Sequence, residues 1–373
     1  MKFSINKRLF NNALSNVSKA ISPNSPVPSL SGIKIELKDN NLILTAADST
    51  LSIIKTIPIT SENYNIMVES TGVIVLDARY LLEMVRKIDG DTITIDVLDT
   101  TLTRIKGNKV EYTVNGMRAE DYPEIRTPHP ETSFEIDADE LVKSISQTIF
   151  AVSKKETRPV LTGVNLVNKS GLLSMIATDS FRLSRKQLKI DTIVSFNVTI
   201  PARTLDIVDK IIEDNSTVTI YVGDMNLQFL IGDTIIQSRL IDGSFPETER
   251  LIPTTHSRKL VLNSMEILNA LDRCSFIKND GMALVKFSAN ASILNISSRN
   301  QEVGSSLDSL IPVSYEGDPI EISFCGDYAK EAIRALDDAQ VNFLMDGEMK
   351  AFLITSDSDD TITQLILPVR SYN

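Results

Sequence analysis

Two histidines are the first side chains to test for chemistry, because histidine is the commonest general acid or base in enzymes. His129 and His256 both lie in polar, proline-containing stretches between periodic segments. A catalytic side chain needs a rigid and oriented setting, which such a linker does not offer. Both histidines are therefore predicted to be exposed linker residues.

The other reactive side chains form no catalytic constellation either. Cys274 and Cys325 lack CxxC spacing and sit in periodic segments, which favours buried packing in a reducing compartment. The acidic run at residues 357–360 could suggest a cation site, but a solvated turn between two strands explains it better. The sequence contains no GxxxxGK[ST] loop and no HExxH pair. It therefore predicts a protein without catalytic activity, metal or cofactor.

Length, composition and charge limit the class of protein. The 373 residues are 42% hydrophobic and 23% charged, as in a globular protein of two or three domains. Neither a run of about 18 apolar residues nor a signal peptide is present, so the expectation is a cytoplasmic protein without membrane association. The net charge of −11 argues against DNA binding through the average surface. Basic residues that are concentrated on one face would still permit DNA binding.

A threefold internal repeat with a period of about 125 residues is the most informative feature of the chain. Each copy opens with a strand that leads into a helix, as in KFSINKRLFNNALSNV, SFEIDADELVKSISQTI and KLVLNSMEILNALDRCS. Apolar residues recur from copy to copy, first at strand spacing and then at helix spacing. The matched positions are Phe3, Phe134 and Leu260; Ile5, Ile136 and Leu262; Phe10, Leu141 and Ile267; Leu14, Ile145 and Leu271.

Each copy continues with a pair of alternating strands and then a strand–helix–strand unit. Asp48 and Asp179 end matching strands in the first two copies, which predicts a turn or capping role for both. The pattern predicts an α+β fold of three repeated domains, each with two helices packed on antiparallel sheets. The domain bounds are 1–127, 128–253 and 254–373, since the junctions fall in polar, proline-rich stretches.

Three blocks of the sequence resemble the bacterial sliding-clamp family, the β subunits of DNA polymerase III. They are MIATDSFRLSR at 175–185, IGDTIIQSRLIDGSFPETERLIP at 231–253 and QLILPVR at 364–370. The resemblance implies the DNA clamp fold and a non-catalytic homodimer that closes head to tail into a ring around double-stranded DNA. It also implies partners: the replicative polymerase α subunit, the clamp loader and other proteins with a clamp-binding motif.

The resemblance further implies a pocket that binds short peptide motifs of these partners. Phe181 stands where the family often has histidine, which adds apolar area. The positions that match the pocket and its neighbouring groove are Leu161, Thr178, Ser180, Phe181, Arg182, Leu183, Pro246, Leu251, Leu365, Leu367, Val369, Arg158, Tyr328, Met349 and Lys350.

Basic residues on the helices and nearby loops are the candidates for facing DNA. The candidates are Lys7, Arg8, Lys19, Arg79, Arg86, Lys87, Lys154, Lys155, Arg158, Arg203, Lys210, Arg273, Lys278, Lys330 and Arg334. For the interface between the two chains, the resemblance points to Tyr112, Val114, Phe276 and Ile277. Two rival hypotheses are a structural repeat protein that does not bind DNA and an unrecognised hydrolase.

Overall fold

The computed structural model describes residues 1–23, 25–213, 216–278 and 281–370. Within these residues the chain forms six α-helices and twenty-six β-strands. The helices are α1 (Lys7–Ser18), α2 (Ala78–Lys87), α3 (Ala138–Thr148), α4 (Ala202–Asp209), α5 (Ser264–Ser275) and α6 (Gly326–Leu336).

The strands are short and follow the three copies of the repeat. The first copy contains β1 (Lys2–Asn6), β2 (Gly32–Lys38), β3 (Asn41–Ala47), β4 (Leu51–Pro58), β5 (Met67–Ser70), β6 (Gly72–Asp77), β7 (Thr92–Val97), β8 (Leu102–Lys106) and β9 (Glu111–Asn115). The second contains β10 (Thr132–Asp137), β11 (Gly163–Lys169), β12 (Leu172–Thr178), β13 (Arg182–Lys189), β14 (Phe196–Pro201), β15 (Thr217–Val222), β16 (Asn226–Ile231) and β17 (Thr234–Arg239). The third contains β18 (Arg258–Asn263), β19 (Leu284–Ala289), β20 (Leu294–Asn300), β21 (Gly304–Leu310), β22 (Ser314–Glu316), β23 (Ile320–Cys325), β24 (Gln340–Met345), β25 (Phe352–Thr355) and β26 (Ile362–Ile366).

The chain divides into two compact units, and the division does not follow the repeat. Unit 1 consists of Met1–Asp139 and Ile207–Leu240, and unit 2 of Glu140–Asp206 and Ile241–Asn373. The boundaries fall inside the second copy because its strands pair with strands of both other copies. In unit 1, β17 pairs with β4; in unit 2, β13 pairs with β26.

Antiparallel sheets dominate both units. Unit 1 has a five-stranded sheet in the order β5-β1-β7-β8-β9 and an eight-stranded sheet in the order β10-β15-β16-β17-β4-β3-β2-β6. Unit 2 has a nine-stranded sheet, β14-β11-β12-β13-β26-β25-β24-β18-β22, and a four-stranded sheet, β21-β20-β19-β23. Helix α1 packs against α2 in unit 1, and α5 packs against α6 in unit 2.

The strand-to-helix junctions before α1 and α5 each have a polar cap followed by an apolar stripe. The side chain of Asn6 accepts a hydrogen bond from the backbone N–H of Leu9, and Asn263 accepts from those of Met265 and Glu266. Such caps satisfy backbone donors that have no partner inside the helix. The stripe then packs on the sheets. All the repeated apolar positions predicted from the sequence are buried, so that prediction is confirmed: Phe3, Phe134, Leu260, Ile5, Ile136, Leu262, Phe10, Leu141, Ile267, Leu14, Ile145 and Leu271.

The two repeated aspartates hold tight turns with the same hydrogen-bond pattern, as predicted. The Oδ1 atom of Asp48 accepts hydrogen bonds from the backbone N–H groups of Thr50 and Leu51 at 2.7 and 2.8 Å. The Oδ1 atom of Asp179 accepts from those of Phe181 and Arg182 at 2.9 and 3.1 Å. These bonds turn the chain between two antiparallel strands, which is a structural and not a catalytic role.

The cysteines and the acidic run also have structural places. Cys274 and Cys325 are free and buried, which confirms their predicted packing role. Asp359 corrects the prediction of a solvated turn, because its side chain is largely buried and lies 2.7 Å from the Lys186 ammonium. Thr361 also donates to Asp359. In the part of the chain that the structure describes, no helix is long and apolar enough to cross a membrane.

The Lys186–Asp359 pair gives unit 2 a defined dependence on acid. Burial raises the pKa of Asp359, but the bonds from Lys186 and Thr361 lower it by more, so the pKa lies below its usual range. The resulting stabilisation is complete above the pKa of an unfolded aspartate, about 3.9, and disappears as the pH falls below that value. Asp359→Asn should cost on the order of 3 kcal/mol of unfolding free energy at neutral pH, because Lys186 stays buried without its partner.

Urea unfolding near pH 7 and near pH 3 measures this effect. The difference between the wild type and Asp359→Asn should shrink toward the acidic end, while the exposed neighbour Asp360→Asn should match the wild type at neutral pH. An equal difference at both pH values would show that Lys186 does not hold Asp359 ionised.

Candidate functional site

A row of leucines crosses one face of the nine-stranded sheet in unit 2. Leu183 on β13 lies directly opposite Leu365 on β26, and Leu365 lies opposite Leu353 on β25. Side chains that are paired across antiparallel strands point to the same face and touch. With Ile176 they form a small hydrophobic cluster that is separate from the core of the third copy. We call these four residues the leucine cluster.

The segment between the second and third copies packs beside this cluster. Phe245 and Ile252 pack against the leucine cluster and are partly buried. Between them, Pro246 and Leu251 are exposed, the latter at the end of a short 3-10 turn, Glu249–Leu251. The chain thus leaves apolar side chains at the edge of a buried apolar floor, an arrangement that can bind an apolar side chain of a ligand.

Two further predicted pocket residues lie at the open end of the row. Leu367 is 39% exposed, and its N–H donates to the carbonyl of Phe181 at 2.9 Å, so the pairing of β13 with the C-terminal strand continues past Leu365. The ring of Phe181 is 54% exposed. Ser180 beside it has a positive φ of 78°, which belongs to the tight turn made by Asp179. Both exposed apolar side chains therefore extend the surface of the cluster.

Arg182 corrects the sequence prediction, since it does not lie at the rim of the pocket. Successive residues of a strand face opposite sides, so the side chain next to Leu183 points to the other face. There Arg182 is 6% exposed, its Nε lies 3.0 Å from Asp179 and its Nη1 pairs with Glu331. The guanidinium also lies 4.3 Å from the centre of the Tyr328 ring. This network joins β13 to helix α6.

Tyr328 belongs to the same buried network and not to the leucine face. Burial, with Asp179 nearby, raises the pKa of Tyr328 to about 12, so the phenol stays neutral. Of the remaining predicted residues, Thr178 is buried and its hydroxyl donates to the carbonyl of Arg182 at 2.6 Å. Leu161 is buried in a 3-10 turn outside the leucine cluster. Val369 is half-buried, and Arg158, Met349 and Lys350 are exposed.

Sequence reasoning missed Ile176, Leu353, Phe245 and Ile252, all of which contribute to the cluster or pack against it. Alternation along β12 and β25 could have marked Ile176 and Leu353 as facing one side. The pairing of β13 with β26 was the missing information, because it joins residues that are far apart in the sequence.

At the junction between the first and second copies, within unit 1, polar residues occupy the positions that match the row of leucines in unit 2. Ser52 lies opposite Gln237 there, and Gln237 lies opposite Gln228. His129 stacks on Tyr221 with the ring centroids 4.3 Å apart, and its Nδ1 lies 2.7 Å from Oε1 of Gln228. His129 is exposed, as predicted, but it also holds the linker against the sheet.

In unit 1, the candidate DNA-facing residues form three groups, of which the first and third share Arg86. Lys7, Arg8 and Arg86 line a cleft of about 650 Å³, in which Lys7 donates to the carbonyl of Ile88. Lys19 is half-buried; burial and the nearby ammonium of Lys210 lower its pKa, which places two positive charges close together. Three candidates on helix α2 are exposed, and the last two of them pair with Glu83: Arg79, Arg86 and Lys87.

In unit 2, several candidates are already paired with acids. Arg273 lies 2.5 Å from Asp308, and Lys330 lies 3.0 Å from Asp327. Arg334 lines a cleft of about 430 Å³ that also contains Lys143 and two acids. The other exposed candidates of this unit are Lys154, Lys155, Arg158, Arg203 and Lys278, and Lys278 lies 3.8 Å from Asp327. A cation that is paired with an acid contributes less to the positive electrostatic potential.

The predicted interface residues differ in accessibility. Tyr112 and Val114 are half-buried on β9, which is an edge strand of the five-stranded sheet among the described residues. Phe276 is 69% exposed just after helix α5. Ile277, in contrast, is only 3% exposed and packs inside its own chain, so it is unavailable as a contact surface. The residue after Phe276 thus turns inward in the single chain, and its predicted place in the interface stays a prediction.

The described residues contain no cluster of three or more histidine, cysteine, aspartate or glutamate side chains that could hold a metal. The leucine cluster offers apolar area, and the helices offer basic groups. Neither arrangement supplies a nucleophile beside a base, so the geometry suits binding and not bond-making chemistry.

Comparisons with known proteins agree along the whole chain. Family models of the DNA polymerase III beta subunit match in succession: the N-terminal domain at residues 1–126, the central domain at 135–247 and the C-terminal domain at 249–370. The beta sliding clamp of Bacillus subtilis (strain 168) is 37% identical over 378 residues and that of Staphylococcus aureus (strain N315) 34% over 376 residues, each covering 100% of both chains.

Solved structures give the same result for the fold. A crystal structure of the DNA polymerase sliding clamp from Bacillus subtilis matches with a TM-score of 0.95 at 37% identity, over 100% of both chains. The DNA polymerase III beta chain from Streptococcus pneumoniae TIGR4 matches with a TM-score of 0.94 at 29% identity, over 99% of this chain and 100% of that one. The predicted α+β clamp fold is confirmed, and with three consecutive domain matches and full-length relatives this chain belongs to the DNA polymerase III beta subunit family, the sliding clamps.

Proposed function

We propose that this chain is a non-catalytic processivity factor of the cytoplasm, in which two copies close into a ring around duplex DNA. The ring tethers the replicative polymerase α subunit, accepts the clamp loader and binds other proteins through the leucine cluster. The observation that carries the proposal is the match to a solved sliding clamp over the full length of the chain, at a TM-score of 0.95.

Edge strands support head-to-tail association of two chains. Strands β9 and β21 each end a sheet among the described residues, which leaves backbone donors and acceptors available for another chain. Leu307 on β21 and Phe276 are both strongly exposed, and Tyr112 and Val114 lie on β9. A heterologous contact between the two edges, made twice, closes a two-membered ring and removes both edges.

Topology explains how a chain with a net charge of −11 holds DNA. A closed ring cannot leave an encircled duplex sideways, so it needs only weak contacts, and weak contacts permit sliding. Phosphate contacts are independent of sequence and sensitive to salt. Exposed basic groups on helix α2 and just after helix α4, such as Arg79, Arg86 and Lys210, suffice to centre the duplex.

The leucine cluster suits the binding of partner peptides. Leu183, Leu353 and Leu365 make a buried floor, and Leu367 and Phe181 add exposed apolar surface beside it. A leucine or phenylalanine side chain of a partner would bury its surface there and gain about 1.5–3 kcal/mol.

Retention on circular DNA tests the ring. The protein is loaded onto nicked circular DNA with a clamp loader and ATP, and the complex is separated from free protein by gel filtration. We expect retention on the circle and loss after the DNA is linearised, because the link is mechanical. Retention after cutting would indicate ordinary affinity, and absence of retention on the circle would favour the structural-repeat hypothesis.

Phe276→Asp tests the interface between chains. A charge in the centre of an apolar contact is costly to desolvate, so the variant should sediment as a monomer in analytical ultracentrifugation. Met265→Asp, on the equally exposed face of helix α5, is the matched control and should stay dimeric. A dimeric Phe276→Asp protein would contradict the proposed contact.

Leu367→Asp tests the peptide site. Fluorescence anisotropy with a labelled peptide that carries a Leu-Phe pair should show about tenfold to hundredfold weaker binding, from the loss of apolar contact and the added charge. Ile193→Asp changes an equally apolar but remote exposed residue and should bind as the wild type does. Unchanged affinity in Leu367→Asp would refute the assignment of the pocket.

A further inference from the structure

Arg185 lies beside the leucine cluster on the same face of the sheet. It is two residues from Leu183 on β13, and alternate residues of a strand face the same side. In register it lies opposite Ile176 on one neighbouring strand and Thr363 on the other. A guanidinium is therefore placed about 7 Å along the strand from the apolar floor.

The guanidinium of Arg185 is short of hydrogen-bond acceptors. Its Nη2 donates to the hydroxyl of Thr363 at 3.2 Å. Its Nε is buried and has no partner among the described residues. A guanidinium has five N–H donors and is always charged, and a half-buried group with unmet donors is costly. Burial lowers the pKa of Arg185, which reflects this loss of solvation.

The acid that influences Arg185 most is committed elsewhere. Glu249, in the short turn beside the cluster, pairs with Lys169 at 2.8 Å. Its carboxylate raises the pKa of Arg185 through space, yet no ion pair joins the two among the described residues. The surface beside the leucine cluster therefore carries a positive group whose Nε–H has no partner among the described residues, next to an apolar site.

We propose that Arg185 recognises an acidic side chain in the peptide whose apolar anchor binds the leucine cluster. The partner motif then carries an aspartate or glutamate within about two residues of its leucine or phenylalanine, since that spacing matches the separation of Arg185 and Leu183. A carboxylate fits a guanidinium in a two-point contact, which a neutral amide cannot reproduce. This inference rests on the proposed peptide site and adds a charge requirement to it.

A peptide scan tests the proposal. Short labelled peptides with a Leu-Phe anchor carry a single aspartate or asparagine at each flanking position in turn, and fluorescence anisotropy gives their affinities. At one position, the wild type should bind the aspartate peptide about 5- to 30-fold more tightly than the asparagine peptide. Added salt should reduce that ratio.

Variants separate the guanidinium from its surroundings. Arg185→Met keeps much of the side-chain volume. It should bring the ratio of the affinities for the aspartate and asparagine peptides to about one. Glu249→Gln removes the competing carboxylate and should increase the ratio, which a merely structural arginine would not produce. Arg250→Met changes an exposed arginine of the same turn, which pairs with Glu247, and should leave the ratio unchanged. Circular dichroism melting checks that each variant is folded, and Arg185→Lys, which keeps the charge without the fork, should give an intermediate ratio.

The outcomes are distinct. Equal binding of all aspartate and asparagine pairs by the wild type, or an unchanged ratio in Arg185→Met, overturns the role of Arg185 while leaving the apolar site intact. If Leu367→Asp binds every peptide as the wild type does, or if no anchored peptide binds, the apolar site itself fails and this inference fails with it.

Discussion

Strand pairing between copies of the repeat is the constraint on which the leucine cluster, the proposed peptide site, depends. Leu183 and Leu365 belong to different copies, and only the antiparallel ladder of β13 with β26 places them opposite each other. Because side chains alternate along a strand, a slip of one residue would move every side chain of β13 to the other face. The leucine cluster would then lose Leu183, and Arg182 would face an apolar floor. The hydrogen-bonded pairing of β13 with β26 therefore determines which side chains lie on each face of the sheet.

Buried charges on the opposite face make that register hard to change. Arg182 pairs with Asp179 and Glu331, and Lys186 pairs with Asp359. A buried ion pair adds little net stability compared with apolar packing, but losing one partner leaves an uncompensated charge. A slip of β13 against β26 would separate Lys186 from Asp359, whereas Arg182 would keep Asp179, which lies in the turn just before β13. The Lys186–Asp359 pair therefore favours the observed alignment, and the position of the apolar cluster on the other face depends on that alignment.

The sequence predicted what depends on local periodicity. The repeated positions from Phe3 to Leu271 are buried as the strand and helix spacing indicated, and Asp48 and Asp179 make the turns that their repetition suggested. It failed where the outcome depends on which face a neighbouring residue takes. Arg182 points away from the pocket and Ile277 turns into its own core. For Arg182 the pairing of β13 with its neighbouring strands decides the face, and for Ile277 the packing of the segment after helix α5 does. Spacing along the sequence contains neither.

The two junctions between copies differ in the side chains that one pattern of strand pairing places in a row. In unit 2 the row across the junction is Leu183, Leu365 and Leu353, and in unit 1 the matching row is Ser52, Gln237 and Gln228. The polar side chains in unit 1 make hydrogen bonds with the segment that joins the two copies. Gln228, for example, donates to the carbonyl of Pro128 at 2.8 Å. A site whose donors and acceptors are met by its own chain offers little to a partner, whereas an apolar floor gains from being covered. The two junctions share one pattern of strand pairing and differ in the side chains of the row, which are polar in unit 1 and apolar in unit 2. That difference is the reason for which we place the proposed peptide site at the junction in unit 2.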